Sequence, residues 1–253
     1  MSSRVRIIIQ ARIESSRLPG KIMAKLAGEP MLTHVVRRLE ATRNFGRLEV
    51  EVMVATTVNT ADDPTESLCS DLGVRCFRGP VQDVLARYVA AAADLSNRDV
   101  VVRATADNPL YCPLRTAKII ASHLHRQADY TCIRNLSYVV PEVMQVGALR
   151  TMASLARNPH CREHVTPYFR EEANEFRVEM LPERWQGLRP ETLLTVDTRK
   201  EYERMTRLFC ALGEHGSLFP LEEIYNYCDQ EHIAGFTQRT LEPMRRDRKR
   251  SAA

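Results

Sequence analysis

Hydrophobic and polar positions along this chain of 253 residues follow two alternating periods. Short apolar, β-branched runs at residues 5–9, 48–55, 74–77 and 99–103 read as buried strands. Between them, apolar residues recur at helical spacing. Residues 31–42 carry Leu32, Val35, Val36 and Leu39 on one face, and residues 81–95 carry Val84, Leu85, Tyr88 and Val89. A helix is expected from Asp63 as N-cap and Pro64 as first residue down to Gly73, and another over 113–127. The second half is less regular. Strands are expected at 129–133, 142–146, 176–181 and 193–196, and helices at 148–156, 199–212 and 221–228. Residues 162–168 open a helix or a turn. Strands and helices alternating at this density predict an α/β fold, with a mostly parallel sheet covered by helices on both faces. In such sheets ligands bind beyond the carboxyl ends of the strands. No repeat, low-complexity stretch or linker divides the chain, so one domain over 1–240 is expected, followed by a basic, flexible tail at 241–253.

The composition narrows the chemistry. Hydrophobic residues make up 44%, enough for a sizeable core. The net charge of +4 does not point to nucleic acid. Residues 244–250 hold five cations and one anion, so the rest of the chain is balanced at 31 of each sign. The seven cysteines include no C-x-x-C pair, which fits neither a zinc knuckle nor a disulfide framework and agrees with a reduced, cytoplasmic setting. The apolar stretch near the N-terminus is too short for a signal peptide, and nothing in the chain approaches the length of a membrane span.

The first strand opens into Gln10-Ala-Arg-Ile-Glu-Ser-Ser-Arg-Leu-Pro-Gly-Lys21. Arg12, Arg17 and Lys21 supply fixed positive charge, Ser15 and Ser16 supply hydroxyls, and Gly20 lets backbone approach closely. That combination suits a polyphosphate, although it matches neither the P-loop nor the dinucleotide-binding glycine pattern. Two acids complete the set. Asp107 ends the run Val100-Val-Val-Arg-Ala-Thr-Ala-Asp107, and Asp197 ends Leu193-Leu-Thr-Val-Asp197. Each also suits a bland role, Asp107 in a turn before Asn108-Pro109 and Asp197 as a helix N-cap. Together with the cationic loop they suit a Mg²⁺ ion bridging carboxylates and phosphate oxygens.

The same loop resembles the signature of the cytidylyltransferases that make CMP-activated sugar acids, such as CMP-KDO synthetase and acylneuraminate cytidylyltransferase. The likeness is strongest to the SpsF-like spore-coat polysaccharide branch. It continues through Val54-Ala-Thr-Thr57, Asp62-Asp-Pro64, Phe77-Arg-Gly79, Asp83-Val-Leu-Ala-Arg-Tyr88, Val102-Arg-Ala-Thr-Ala-Asp-Asn-Pro-Leu110, Arg162-Glu-His-Val-Thr-Pro-Tyr168 and Thr195-Val-Asp-Thr198. The resemblance implies a Rossmann-like nucleotidyltransferase α/β/α sandwich with a mixed, mostly parallel sheet, often paired as a homodimer. Dimer and acceptor elements would then lie within residues 130–190. It implies transfer of CMP from CTP to a small anionic acceptor. Lys21, Arg12, Arg17 and Asp107 would be catalytic. Ala11, Ser15, Ser16, Ala55, Thr56, Arg78 and Asp83 would join them at the nucleotide. Asp107 and Asp197 would hold Mg²⁺, and Arg162, Glu163, His164 and Gln145 would meet the acceptor. His34, His123, His125 and His160 read as packing or surface residues, and Trp185 as a packing anchor.

The chain departs from that pattern where an acceptor would sit. Residues 139–146 lack the glycine of a Gly-x-Asp-x-Glu-like run and carry Met144 and Gln145 in a polar position, and Ala106-Asp-Asn108 stands where Gly-Asp-Cys is common. The phosphate and metal positions survive, which points to CTP chemistry with an unusual acceptor, a small phosphonate or a sugar acid. Three alternatives stay open: another nucleotide or sugar-phosphate specificity, a non-catalytic nucleotide-binding subunit, and a glycosyltransferase of similar topology. The last commonly shows an Asp-x-Asp motif, which this chain lacks.

Overall fold

Strand β1 (Val5–Gln10) packs apolar residues on both faces and lies in the interior of the sheet. Its odd and even positions feed two different cores: Ile7 and Ile9 pack on one side, Ile8 on the other. The computed structural model describes residues 3–46, 48–135, 138–171, 175–213 and 218–230. The tail at 241–253 lies outside them.

After β1, a hairpin of β2 (Lys25–Leu26) and β3 (Glu29–Pro30) leads into α1 (Met31–Glu40). Strand β4 (Val50–Thr57), helix α2 (Asp63–Asp71), strand β5 (Arg75–Gly79), helix α3 (Val84–Ala91), strand β6 (Val100–Thr105) and helix α4 (Pro113–Arg126) follow. The second half contributes β7 (Tyr130–Ile133), β8 (Glu142–Gln145), α5 (Val146–Leu155), α6 (Pro159–His164), α7 (Pro167–Glu171), β9 (Val178–Leu181), α8 (Arg199–Leu212) and α9 (Leu221–Gln230). Seven strands form one sheet in the order β5-β4-β1-β6-β8-β7-β9. Only β8 runs against its neighbours, pairing antiparallel with β6 and β7. The fold is thus the mixed, mostly parallel α/β sandwich expected. Helices α1, α4, α8 and α9 cover one face, and α3, α5, α6 and α7 the other. No helix among the described residues is long and apolar enough to cross a membrane.

Several expectations from the chain pattern need correction. Residues 193–196 are extended but join no strand of the sheet. Leu194 and Val196 are buried, and the Val196 N–H donates to the Asp107 carbonyl at 2.9 Å, so an apolar run here serves as a buried strap. Helix α2 begins at Asp63 with Asp62 at its N-cap position, and the buried Asp62 carboxylate makes no cap bond because Ile13 and Thr57 take it. Helix α3 starts only at Val84, where Asp83 accepts the Ala86 N–H at 2.9 Å. Thr198, not Asp197, caps α8, through a capping box with Glu201. His34 and His123 are buried as packing residues, and Trp185 is half-buried against the larger core.

Candidate active site

The loop after β1 folds back on itself. Gly20 takes φ 72°, which favours glycine, and its N–H donates to the Ile13 carbonyl at 2.9 Å. That turn points Lys21 inward. A second tie comes from Asp62, whose carboxylate accepts the Ile13 N–H at 2.7 Å and also bonds Thr57. The loop is therefore held from below by a buried acid that the strand-and-loop reading had not singled out.

Lys21 is the hub. Its ammonium donates to Asp197 Oδ1 at 2.8 Å, to the Val196 carbonyl at 2.9 Å and to Asp107 Oδ2 at 3.2 Å. Arg17 reaches the same Asp197 oxygen at 2.9 Å. Two acids ninety residues apart in the chain thus meet on one cation. Each has a local reason to be there. Asp107 follows β6 in a turn linked to β1 by the Ala106 N–H on the Gln10 carbonyl at 3.0 Å. Asp197 has its N–H held by Glu201 at 2.7 Å, just ahead of α8.

These groups open into a cavity of ≈ 380 Å³ at the carboxyl ends of β1 and β6. Arg12, Ser15, Ser16, Arg17, Lys21, Asp107, Asp197, Glu163 and His164 all line it. Those expected phosphate, metal and acceptor residues come together. Others do not. Ala11, Ala55 and Thr56 are buried beside the cavity without lining it. Arg78 is engaged by Asp63, Glu66 and the carbonyls of Thr57 and Asn59. Asp83 and Arg162 pair with each other, clamping α6 to the start of α3. Gln145 lies opposite Val100 at the other end of β6, away from the cavity, so it is corrected as an acceptor residue.

The wall beyond Asp107 carries groups that pattern reasoning missed. Arg103 of β6 also lines the cavity and donates to its cross-strand neighbour Glu142 at 2.7 Å. Tyr130 donates to the other oxygen of that carboxylate. Burial alone would raise the Glu142 pKa, but the Arg103 and Arg170 guanidiniums outweigh it and hold the carboxyl below its usual range. Burial and the neighbouring Glu142 keep the Tyr130 phenol protonated. Nearby, His164 is held below the usual histidine range, first by partial burial and then by His160 and two arginines, so it is neutral at pH 7. Val165, just after it, sits at φ 70°, a costly conformation for a β-branched residue and of the sort that collects at functional sites. The available signal was a lone arginine in phase with Val101 on an otherwise apolar strand.

The chain matches the family model described as cytidylyltransferase over residues 6–245. It is 33% identical over 211 residues to the spore coat polysaccharide biosynthesis protein SpsF of Bacillus subtilis, covering 82% of this chain and 87% of that one. A solved cytidylyltransferase from Leptospira borgpetersenii superposes with a TM-score of 0.80 at 28% identity, over 91% of this chain and 96% of the other. The fold is also that of a CMP:2-keto-3-deoxy-manno-octonic acid synthetase complexed with CTP, at a TM-score of 0.64 and 16% identity over 83% of this chain and all of the other, 100%. With the cationic loop, the paired acids and the sheet in the expected arrangement, the chain belongs to the cytidylyltransferase family.

Proposed function

We propose that this protein transfers CMP from CTP to a small anionic acceptor, releasing pyrophosphate. The observation that carries the reading is the meeting of Arg17, Lys21, Asp107 and Asp197 at one end of the cavity. An acceptor oxygen attacks the α-phosphorus, forming one P–O bond as the bond to the β-phosphate oxygen breaks. Both partners are negative, so electrostatics decides the rate. Arg12, Arg17 and Lys21 neutralise the phosphates and hold the leaving pyrophosphate. An acceptor that is already ionised needs no strong base.

The two carboxylates suit a hard divalent cation such as Mg²⁺, and the Lys21 ammonium resting among three oxygens shows that the cradle accepts positive charge. No group of three or more His, Cys, Asp or Glu residues fit to hold a metal occurs among the described residues. The remaining ligands would then be phosphate oxygens and water, the usual share for Mg²⁺. When bound, the ion supplies Lewis-acid polarisation of the phosphates. The acceptor is a phosphonate or a sugar acid, a class supported by the missing glycine in residues 139–146 and by Arg103 and His164 on the cavity wall.

Pyrophosphate release measured with each of CTP, UTP, ATP and GTP, against phosphonates and octulosonic and nonulosonic acids with Mg²⁺, tests the reading. Release with CTP alone supports it. Release with another nucleotide, or with none under any acceptor, sinks it.

A further inference from the structure

The cavity holds a second cationic locus, separate from the phosphate loop. At the first, Lys21 and Arg17 are matched by Asp107 and Asp197. At the second, the charges do not balance. Arg103 and Arg170 both act on a single carboxylate, Glu142, which is 6% exposed. The Glu142 oxygens are taken by the Tyr130 hydroxyl on one side and Arg103 on the other. Arg170 turns a donor towards the Thr166 hydroxyl, and its Nε is buried without a partner. Arg103 makes one hydrogen bond to protein, from Nη1, and its own Nε is likewise buried and unpartnered. The Arg103 side chain is 16% exposed, and what is exposed faces the cavity. Glu14 and Glu163, the other acids on the cavity wall, are exposed and hydrated, so they compensate poorly. A largely buried Arg103, with a second arginine acting on the same carboxylate, leaves positive charge that one carboxylate does not balance, which is costly unless an anion arrives.

Resting on the CMP-transfer reading above, we propose that Arg103 is the anchor for an oxyanion of the acceptor, a carboxylate or a phosphonate. Arg103 presents that anchor between Asp107 and Glu142, with His164 on the same cavity wall. The part of this guanidinium that faces the cavity has N–H groups free to donate to such an anion. Neutral His164 adds a donor or an acceptor without adding charge. Arg103 lies four residues before Asp107 on β6, and its side chain meets β8, whereas Lys21 arrives from the loop after β1. Acceptor and triphosphate are thereby held by different cations on either side of one strand end. The loop after β1 serves the nucleotide, while Arg103 selects acceptors that carry charge.

The test uses the full chain loaded with Mg²⁺ and cytidine 5′-(α,β-methylene)triphosphate, which cannot release pyrophosphate. Pyruvate and methylphosphonate are titrated separately by calorimetry as carboxylate and phosphonate probes. At least one is expected to bind saturably, and whichever binds identifies the oxyanion. Arg103→Gln is expected to weaken that binding about tenfold or more, as for loss of a hydrogen bond to a charged group, with nucleotide affinity unchanged. Glu142→Gln, which removes the competing charge but keeps the shape, is expected to tighten it. A merely structural network would make both variants weaker. Saturable binding of neither probe to the wild-type chain, or equal binding by Arg103→Gln, overturns the proposal. Should Arg103→Gln fail to fold, Glu142→Gln decides alone, since unchanged or weaker binding there also overturns it. Failure of the wild-type chain to bind the nucleotide analogue is a different result, and it counts against the CMP-transfer reading itself.

Discussion

Lys21 is 7% exposed, and three oxygens surround its ammonium. Its place in the sequence, after Pro19-Gly20, made it legible as a phosphate-loop cation. Its contact with both distant acids was inferred only from two strand-end aspartates. Lys21→Met is expected to lower kcat/KM for CTP by 10² to 10³, about 3 kcal/mol of transition-state stabilisation. Stopped-flow or coupled pyrophosphate kinetics measure this, and a loss below about threefold would remove Lys21 from the chemistry. Arg103 and Glu142 were harder to find. Each sits in a strand read by its apolar residues, and only the antiparallel register that pairs them turns two isolated charges into a site.

At the scale of elements, the strands of the first half were visible because both faces of a parallel sheet are buried and their apolar runs are continuous. Boundaries failed where a side chain chose between two backbone partners. Asp83 could cap a helix or follow one, and the structure uses it as the cap. Residues 193–196 have strand composition, but they join no strand of the sheet and pack as a strap over the larger core. The strap matters because it delivers Asp197. Glu201, on the first turn of α8, accepts the N–H of Asp197 at 2.7 Å and of Thr198 at 2.8 Å. It therefore joins a capping box to Asp197. Glu201→Ala is expected to cost about 1 kcal/mol of stability, the usual value of a cap, and also to raise the KM for CTP severalfold by loosening Asp197. Urea melts and steady-state kinetics on the same preparation separate the two effects. A stability loss with unchanged KM would confine Glu201 to the helix.

For the whole molecule, the site is a meeting of remote segments: the loop after β1, the end of β6 and the turn beyond it, the end of α6 and the strap before α8. Chain order hides such convergence, so the sequence could show the parts of the site but not which parts touch. A nucleotide bridging these segments binds only the folded chain, so it must stabilise the whole fold. At a concentration of CTP about 100 times its Kd, with Mg²⁺ present, the gain is about 2.7 kcal/mol. For a chain of this size that corresponds to a rise in Tm of roughly 5–10 °C. The rise should vanish in Asp197→Asn, which breaks the link between strap and loop, and fall when EDTA removes divalent cations. Differential scanning fluorimetry with all four nucleoside triphosphates measures it directly. Equal shifts with every nucleotide would mean that the cavity recognises triphosphate and magnesium but not cytosine, and a shift undiminished in Asp197→Asn would mean that the nucleotide sits elsewhere.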